Sequence, residues 1–251
     1  ASMTKEFQDQ VAVVTGAAQG LGAAVSTLLA RQGAAVFLVD LNGKGAEAQA
    51  ERLRGEGASA HGFGVDAADE GALEGLRAEI AARTKGRLDI LVNNAGGWRY
   101  GRAHEITLSD WDWTFRTNVT VPFLTTRALM PLMIERKYGR IVNVASTDAY
   151  RPKPALPHYA AAKAAVVSLT KSLAEELAPH QILVNGVSPG PIATETAKSQ
   201  SWLAERIKTI PIGRAAEPED IAEDILFLAS PRNRFVVGET VIANGGILMA
   251  G

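Results

Sequence analysis

Tyr159 and Lys163 are separated by three alanines, in a segment that reads as helix from end to end. Residues i and i+4 share one helix face, so a phenol and an ammonium here can act on the same small volume. A free tyrosine, with a pKa of about 10, is only about 0.1% ionised at pH 7 and is a poor base. A nearby ammonium favours the phenolate, each unit of depression corresponding to about 1.4 kcal/mol. A tyrosine tuned this way can exchange a proton with a substrate hydroxyl at neutral pH. The same spacing also occurs where a half-buried tyrosine lies beside a solvated lysine, so the pair carries chemistry only in company.

A second group of residues suits a nucleotide. The apolar run Val11–Thr15 leads into Gly16-Ala17-Ala18-Gln19-Gly20-Leu21-Gly22 and then at once into a helical pattern. Glycines let the backbone turn sharply and approach a pyrophosphate, while a helix N-terminus offers free N–H groups and partial positive charge. The spacing departs from the G-x-G-x-x-G fingerprint, so the position between first strand and first helix carries the reading. Asp40 ends the second apolar run, where an acid can accept hydrogen bonds from ribose hydroxyls. A carboxylate there repels a 2′-phosphate, and neither Gln19 nor Leu41-Asn42 supplies a competing cation, which favours NAD over NADP. Asp66, with Ala67 beside it, either bonds the adenine amino group or caps the helix that starts near 69.

These residues need elements to position them. Short β-branched runs, at Val11–Thr15, Ala34–Asp40, Ala58–Asp66, Ile90–Asn93, Arg140–Ala145, Ile182–Ser188 and Thr240–Ala243, alternate with helical patterns near 21–32, 43–56, 69–84, 108–137, 156–178 and 219–229. Continuous apolar strands such as Val36-Phe37-Leu38-Val39 suit a sheet covered on both faces. The alternation predicts a single-domain, doubly wound α/β Rossmann fold, with a seven-stranded parallel sheet flanked by helices. Ligands of such sheets bind beyond the carboxyl ends of the strands.

Composition narrows the class further. With 251 residues, 47% of them hydrophobic, the chain has material for a large core, and no linker or low-complexity tract divides it, so residues 1–251 read as one domain. A formal net charge of -1 argues against a dedicated nucleic-acid or anionic-membrane surface. The absence of cysteine removes disulfides and thiolate metal sites and fits a reducing compartment. No apolar run is long enough to span a bilayer, and a cytoplasmic protein is expected. Ala1-Ser2 ahead of Met3 reads as a cloning remnant, so residues 1–3 stay outside the functional reading.

Taken in order, the motifs resemble the short-chain dehydrogenase/reductase family over most of the chain, from about Val11 to Gly246. Thr15-Gly16-x-x-x-Gly20-x-Gly22 resembles its cofactor loop, and Asn93-Asn94-Ala95-Gly96 its Asn-Asn-Ala-Gly motif. Asn118 matches the family's helix asparagine. Ser146 precedes Tyr159 by the family's usual interval, and Lys163 completes Tyr-x-x-x-Lys. Ser188-Pro189-Gly190-Pro191-Ile192-Ala193-Thr194 resembles the segment that closes over the nicotinamide. One departure is Ala243-Asn244-Gly245-Gly246, where relatives often carry Asp before the glycine pair.

The resemblance implies a role for each. Tyr159 is the general acid/base, Lys163 lowers its pKa and bonds the nicotinamide ribose, Ser146 bonds the substrate oxygen, and Asn118 holds a water that links Lys163 to solvent. Gly16, Gln19, Gly20, Leu21, Gly22, Asp40, Asp66, Ala67, Ala95, Gly96, Pro189 and Gly190 join Tyr159 and Lys163 around the cofactor. Asn93 and Ile192 border the nicotinamide, and Thr194 bonds its carboxamide. His158 is expected to be structural. His61, His104 and His180 show no ligand spacing, and no metal is expected.

Trp98-Arg99-Tyr100 and Thr147-Asp148-Ala149-Tyr150 should face the substrate. With Arg99, Arg102 or Arg151 nearby they suit a cyclic or acidic substrate, or equally a subunit contact or solvated loop. Residues 192–210 are expected to form the lid, closed by Trp202 and Leu203. The expected activity is NAD-dependent oxidation of a secondary alcohol, or reduction of its ketone. A 3-oxoacyl-(acyl-carrier-protein) reductase is the alternative, and a non-catalytic cofactor-binding protein a remote one. A homotetramer joined through the helices near 108–137 and 156–178 is implied by the family alone.

Overall fold

Successive side chains of a strand point to opposite faces, so a strand that is apolar at every position must be covered on both sides. The computed structural model, which describes residues 5–249, meets that requirement. Residues 1–3 therefore lie outside the described part. Seven strands, β1 (Val11–Thr15), β2 (Ala35–Asp40), β3 (Ala60–Gly64), β4 (Ile90–Asn93), β5 (Gly139–Val144), β6 (Ile182–Pro189) and β7 (Thr240–Ala243), form one sheet in the order β3-β2-β1-β4-β5-β6-β7. All pairings are parallel.

Helices α1 (Gly20–Arg31), α2 (Gly43–Gly55) and α3 (Glu70–Thr84) follow the first three strands. The helical stretch after β4 divides into α4 (Leu108–Phe115) and α5 (Val121–Arg136), and α6 (Pro157–Leu177) follows β5. Two short helices, α7 (Glu195–Lys198) and α8 (Ser201–Ile207), and then α9 (Pro218–Ala229) lie between β6 and β7. Ala12, Val14, Val36 and Leu38 face one core with Val25, Leu29 and Ile225 of α1 and α9. Val11, Val13, Phe37 and Val39 face the other, with Leu76, Leu129 and Leu173 of α3, α5 and α6.

Several expected boundaries move, and two elements differ in kind. The third strand ends at Gly64 rather than Asp66, because Asp66 turns the chain by accepting the Ala68 N–H at 2.9 Å. The helix expected over 108–137 is interrupted at Arg116–Thr120 by a π turn, in which the Val121 N–H reaches back five residues to the Arg116 carbonyl. The expected lid carries two short helices, held to the body by a small cluster of Ala193, Ala197, Leu203, Ile210 and Ala215.

Chain order runs outward from β1 to β3, then restarts at β4 on the other side. The β1 and β4 carboxyl ends therefore border the crevice where such a sheet binds its ligand.

Candidate active site

At that crevice the loops after β1 and β4 touch main chain to main chain. Gly16 has φ +65°, and a Cβ on it would lie 2.9 Å from the Ala95 Cα. A Cβ on Gly22 would lie 2.1 Å from the Gly16 carbonyl oxygen, so α1 packs onto the loop only because that position is bare. Asn94 locks the pair, its Nδ2 donating to the Thr15 and Gly16 carbonyls at 3.0 and 3.1 Å. Side chains cap α2, α3 and α4, through Asn42, Asp69 and Thr107. At α1, Gln19 makes no side-chain cap and no acid stands in the first turn. Its leading N–H groups are thus left for an anion.

Gly16, Gln19, Gly20, Leu21, Asp40, Asp66, Ala67, Ala95, Gly96, Pro189, Gly190, Ile192 and Thr194 line one cavity of about 1390 Å³, together with Ser146, Tyr159 and Lys163. Asp40 closes the loop from β2: one carboxylate oxygen accepts the Ala18 N–H and the other the Asn42 N–H, each at 2.9 Å. A carboxylate offers about four lone-pair sites, so capacity remains for hydroxyl donors. Asp66 lines the wall and pairs with Arg116 at 3.4 Å, while the cap of α3 is Asp69. Thr194 caps α7, and its methyl lies 3.4 Å from where a Gly20 Cβ would stand.

Two members of the expected cofactor set, and Asn118 of the catalytic set, lie off the cavity wall. Gly22 packs behind the loop. Asn93 is 3% exposed, its Nδ2 donating to Thr126 and Asn143, and it ties β4 to its neighbours. Its neighbour Asn94 stands at the wall instead. Strand alternation decides between two identical residues: Asn93 is the last residue of β4 and turns into the core, and the next turns out.

The catalytic set converges from three elements. Ser146 follows β5 and its Oγ accepts the Asp148 N–H at 3.1 Å, which leaves the hydroxyl proton free. Tyr159, on the first turns of α6, faces the same cavity as that hydroxyl and is near enough for Ser146 to favour its ionised form. Lys163, 4% exposed, donates to the Val144 carbonyl at 2.9 Å. Asn118 lies on the π turn, where its Nδ2 donates to the Gly97 and Thr114 carbonyls at 2.8 and 2.9 Å and its Oδ1 accepts the Gly97 N–H. Asn118 Oδ1 and Lys163 Nζ both come within 3.3 Å of where a Gly96 Cβ would stand. With both amide hydrogens committed to main chain, Asn118 is a clamp on Gly97, and only Oδ1 keeps capacity for the water that the family role requires.

Burial pushes the Tyr159 hydroxyl above its ordinary value; the Ser146 hydroxyl partly offsets this, and the negative Asp148 adds to the rise. Burial also disfavours the Lys163 ammonium, lowering it to about 8. Lys163 Nζ stands 5.7 Å from the Tyr159 ring centroid and is directed to the Val144 carbonyl. The four-residue spacing brings the two groups to one wall, and burial is the largest influence on each.

The substrate end is aromatic and charged. The Trp98 ring meets the Tyr159 ring edge-on at 6.2 Å, and Tyr100 and Trp202 line the same wall. Leu203 is buried in the lid cluster and anchors the lid instead of closing the pocket. Arg99 turns away to Asp110 and the Trp113 ring, and Arg102 is also off the wall. Arg151 stays, paired with Asp148 at 3.1 Å. Lys153 and Arg206 join it, from positions that no motif marks. His158 is fully buried away from the cavity, consistent with a structural role. Asn244 bonds the Leu248 carbonyl and the Gly246 N–H, so the departure from the usual acid serves a local turn.

Residues 16–248 match the family described as Enoyl-(Acyl carrier protein) reductase. The chain is 36% identical over 248 residues to a 3-oxoacyl-(acyl-carrier-protein) reductase of Aquifex aeolicus, covering 98% of this chain and 100% of that one. It is 39% identical over 241 residues to D-threitol dehydrogenase of Mycolicibacterium smegmatis, covering 94% and 92%. A solved short-chain type dehydrogenase/reductase from Mycobacterium marinum superposes with a TM-score of 0.93 at 31% identity, covering 98% of each chain.

Proposed function

Because the chain belongs to the short-chain dehydrogenase/reductase family, we propose that it interconverts a secondary alcohol and its ketone with NAD(H). The observation that carries this reading is the meeting of Ser146, Tyr159 and Lys163 at one wall of the cavity that the glycine loop opens. The bare N-terminus of α1 and the glycine contacts suit a diphosphate, and Asp40 suits ribose hydroxyls while opposing a 2′-phosphate. Bound there, the nicotinamide supplies or accepts the hydride.

The protein's own groups manage the proton. Ser146 Oγ donates to the substrate oxygen and stabilises the negative charge that develops on it. In ketone reduction the Tyr159 hydroxyl donates its proton to that oxygen. Alcohol oxidation runs the same transfer backward onto a Tyr159 phenolate, so its rate is expected to rise with pH through the alkaline range. Lys163, charged below about 8, holds positive charge beside the forming phenolate. Tyr159→Phe should lower turnover by about 10²–10⁴-fold while cofactor titration still shows binding; near-normal turnover ends this mechanism.

A second reading, 3-oxoacyl-(acyl-carrier-protein) reductase, is favoured by the full-length likeness to the Aquifex aeolicus enzyme. It would use the same Ser146 and Tyr159. Initial rates with NADH and NADPH on a panel of ketones and 3-oxoacyl thioesters separate the two. Assembly as a homotetramer belongs to the first reading. Apolar side chains stand exposed on two separate faces, with Leu108, Trp111 and Phe123 on α4 and α5, and Ile212, Phe227 and Phe235 around α9 and β7. A homotetramer built as a dimer of dimers buries two different two-fold faces.

A further inference from the structure

Beside Tyr159 the cavity wall is unevenly charged. Asp148 stands close enough to affect the Tyr159 hydroxyl and is shared by Arg151 at 3.1 Å and Lys153 at 3.3 Å. The Lys153 side chain is 18% exposed and Asp148 only 12%, so the group is largely withdrawn from water. Arg206, in the last turn of α8, faces the same cavity and makes no ion pair among the described residues. It lies near enough to Lys153 for the two cations to repel. Arg151 and Lys153 thus share one carboxylate, and Arg206 adds a third cation to the same cavity; Lys153 belongs to the loop between β5 and α6, Arg206 to the lid. The acids of the lid, Glu195 and Glu205, are already matched by Lys198 and Lys208.

A cation pair held together in a partly desolvated wall is unfavourable unless an anion sits between its members. We propose that the substrate carries an oxyanion, a carboxylate or phosphate, which is gripped between Lys153 of the β5–α6 loop and Arg206 of the lid. This rests on the dehydrogenase reading of the site. Arg206 is then a specificity residue, silent toward a neutral alcohol and decisive for an acid. Asp148 holds Lys153 in place while competing with the incoming anion, which sets a threshold that water or chloride does not meet.

The test compares secondary (ω-1)-hydroxy acids of four to ten carbons with neutral 2-alkanols of equal length and with 2-hydroxyalkyl phosphates, in wild type and Arg206→Gln. We expect the acids or the phosphates to exceed the neutral alcohols in kcat/KM by about tenfold or more at the best length. Which of the two leads identifies the oxyanion. In Arg206→Gln that ratio should collapse through KM, with kcat little changed. Neutral alcohols equal to or better than every anion at every length overturn the proposal. Failure of all alcohols and ketones with either cofactor would instead overturn the dehydrogenase reading. The anion site is then decided by fluorescence of Trp98 and Trp202 as the same acids are titrated: saturable change weakened in Arg206→Gln keeps it, and no saturable change removes it.

Discussion

At the glycine-loop end of the cavity the wall is main chain against main chain, whereas at the substrate end it is side chain against side chain. Around Gly16, Gly22 and Ala95 the contacts are between backbone atoms, and Asp40 and Asn94 brace that end by bonding backbone groups. Around Tyr159 the contacts are an aromatic edge, ion pairs to Asp148 and the short lid helices. The first end admits almost no change of side chain without displacing backbone. The second can change charge or shape one residue at a time. One fold can in this way keep a cofactor and vary its substrate, because the two tasks rest on different kinds of contact.

Substitutions should separate the two ends. The largest effect is expected from Gly22→Ala, whose methyl has no room: loss of about 3 kcal/mol or more in thermal unfolding, together with loss of cofactor binding by titration. Binding at wild-type strength in that variant would erase the contrast. Next, Asp40→Asn keeps the size of the side chain and removes its charge. NADP should then gain on NAD by about tenfold in kcat/KM, at a stability cost of about 1 kcal/mol for the disturbed backbone bonds. Trp202→Ala at the other end should raise substrate KM by roughly fivefold and leave the cofactor Kd alone; a matching change in both would mean that the ends are coupled. The smallest effect is expected from Asp148→Asn. Asp148 raises the Tyr159 pKa, so removing its charge should move the acid limb of the oxidation pH profile downward, by up to about one unit.

The strands and the phosphate loop were legible because their signal is local: unbroken apolar runs, and glycines directly between strand and helix. Ser146, Tyr159 and Lys163 were legible as a pattern, and the structure brings them together. Three features were not. Arg116-Thr117-Asn118-Val119-Thr120 contains no glycine or proline, and the local signal is Pro122, which has no N–H to return to the Asn118 carbonyl but reads equally well as an ordinary first-turn proline. Asn93 and Asn94 are chemically identical, and only the pleat of β4 assigns one to the core and the other to the cavity. Lys153 and Arg206 lie far apart in sequence and are brought to one cavity only by the fold.

The π turn has an arithmetic consequence. A turn closed over five residues holds one residue more than a regular helix spends on the same rise, so the path from α4 to α5 carries a surplus amino acid. That surplus is where Asn118 lies, with its side chain fastened to Gly97. A helix of standard pitch would join the same two ends with one letter fewer and no clamp. Counting residues through this stretch, more than weighing their chemistry, tells whether a related chain can hold the Gly96–Gly97 corner over its lysine.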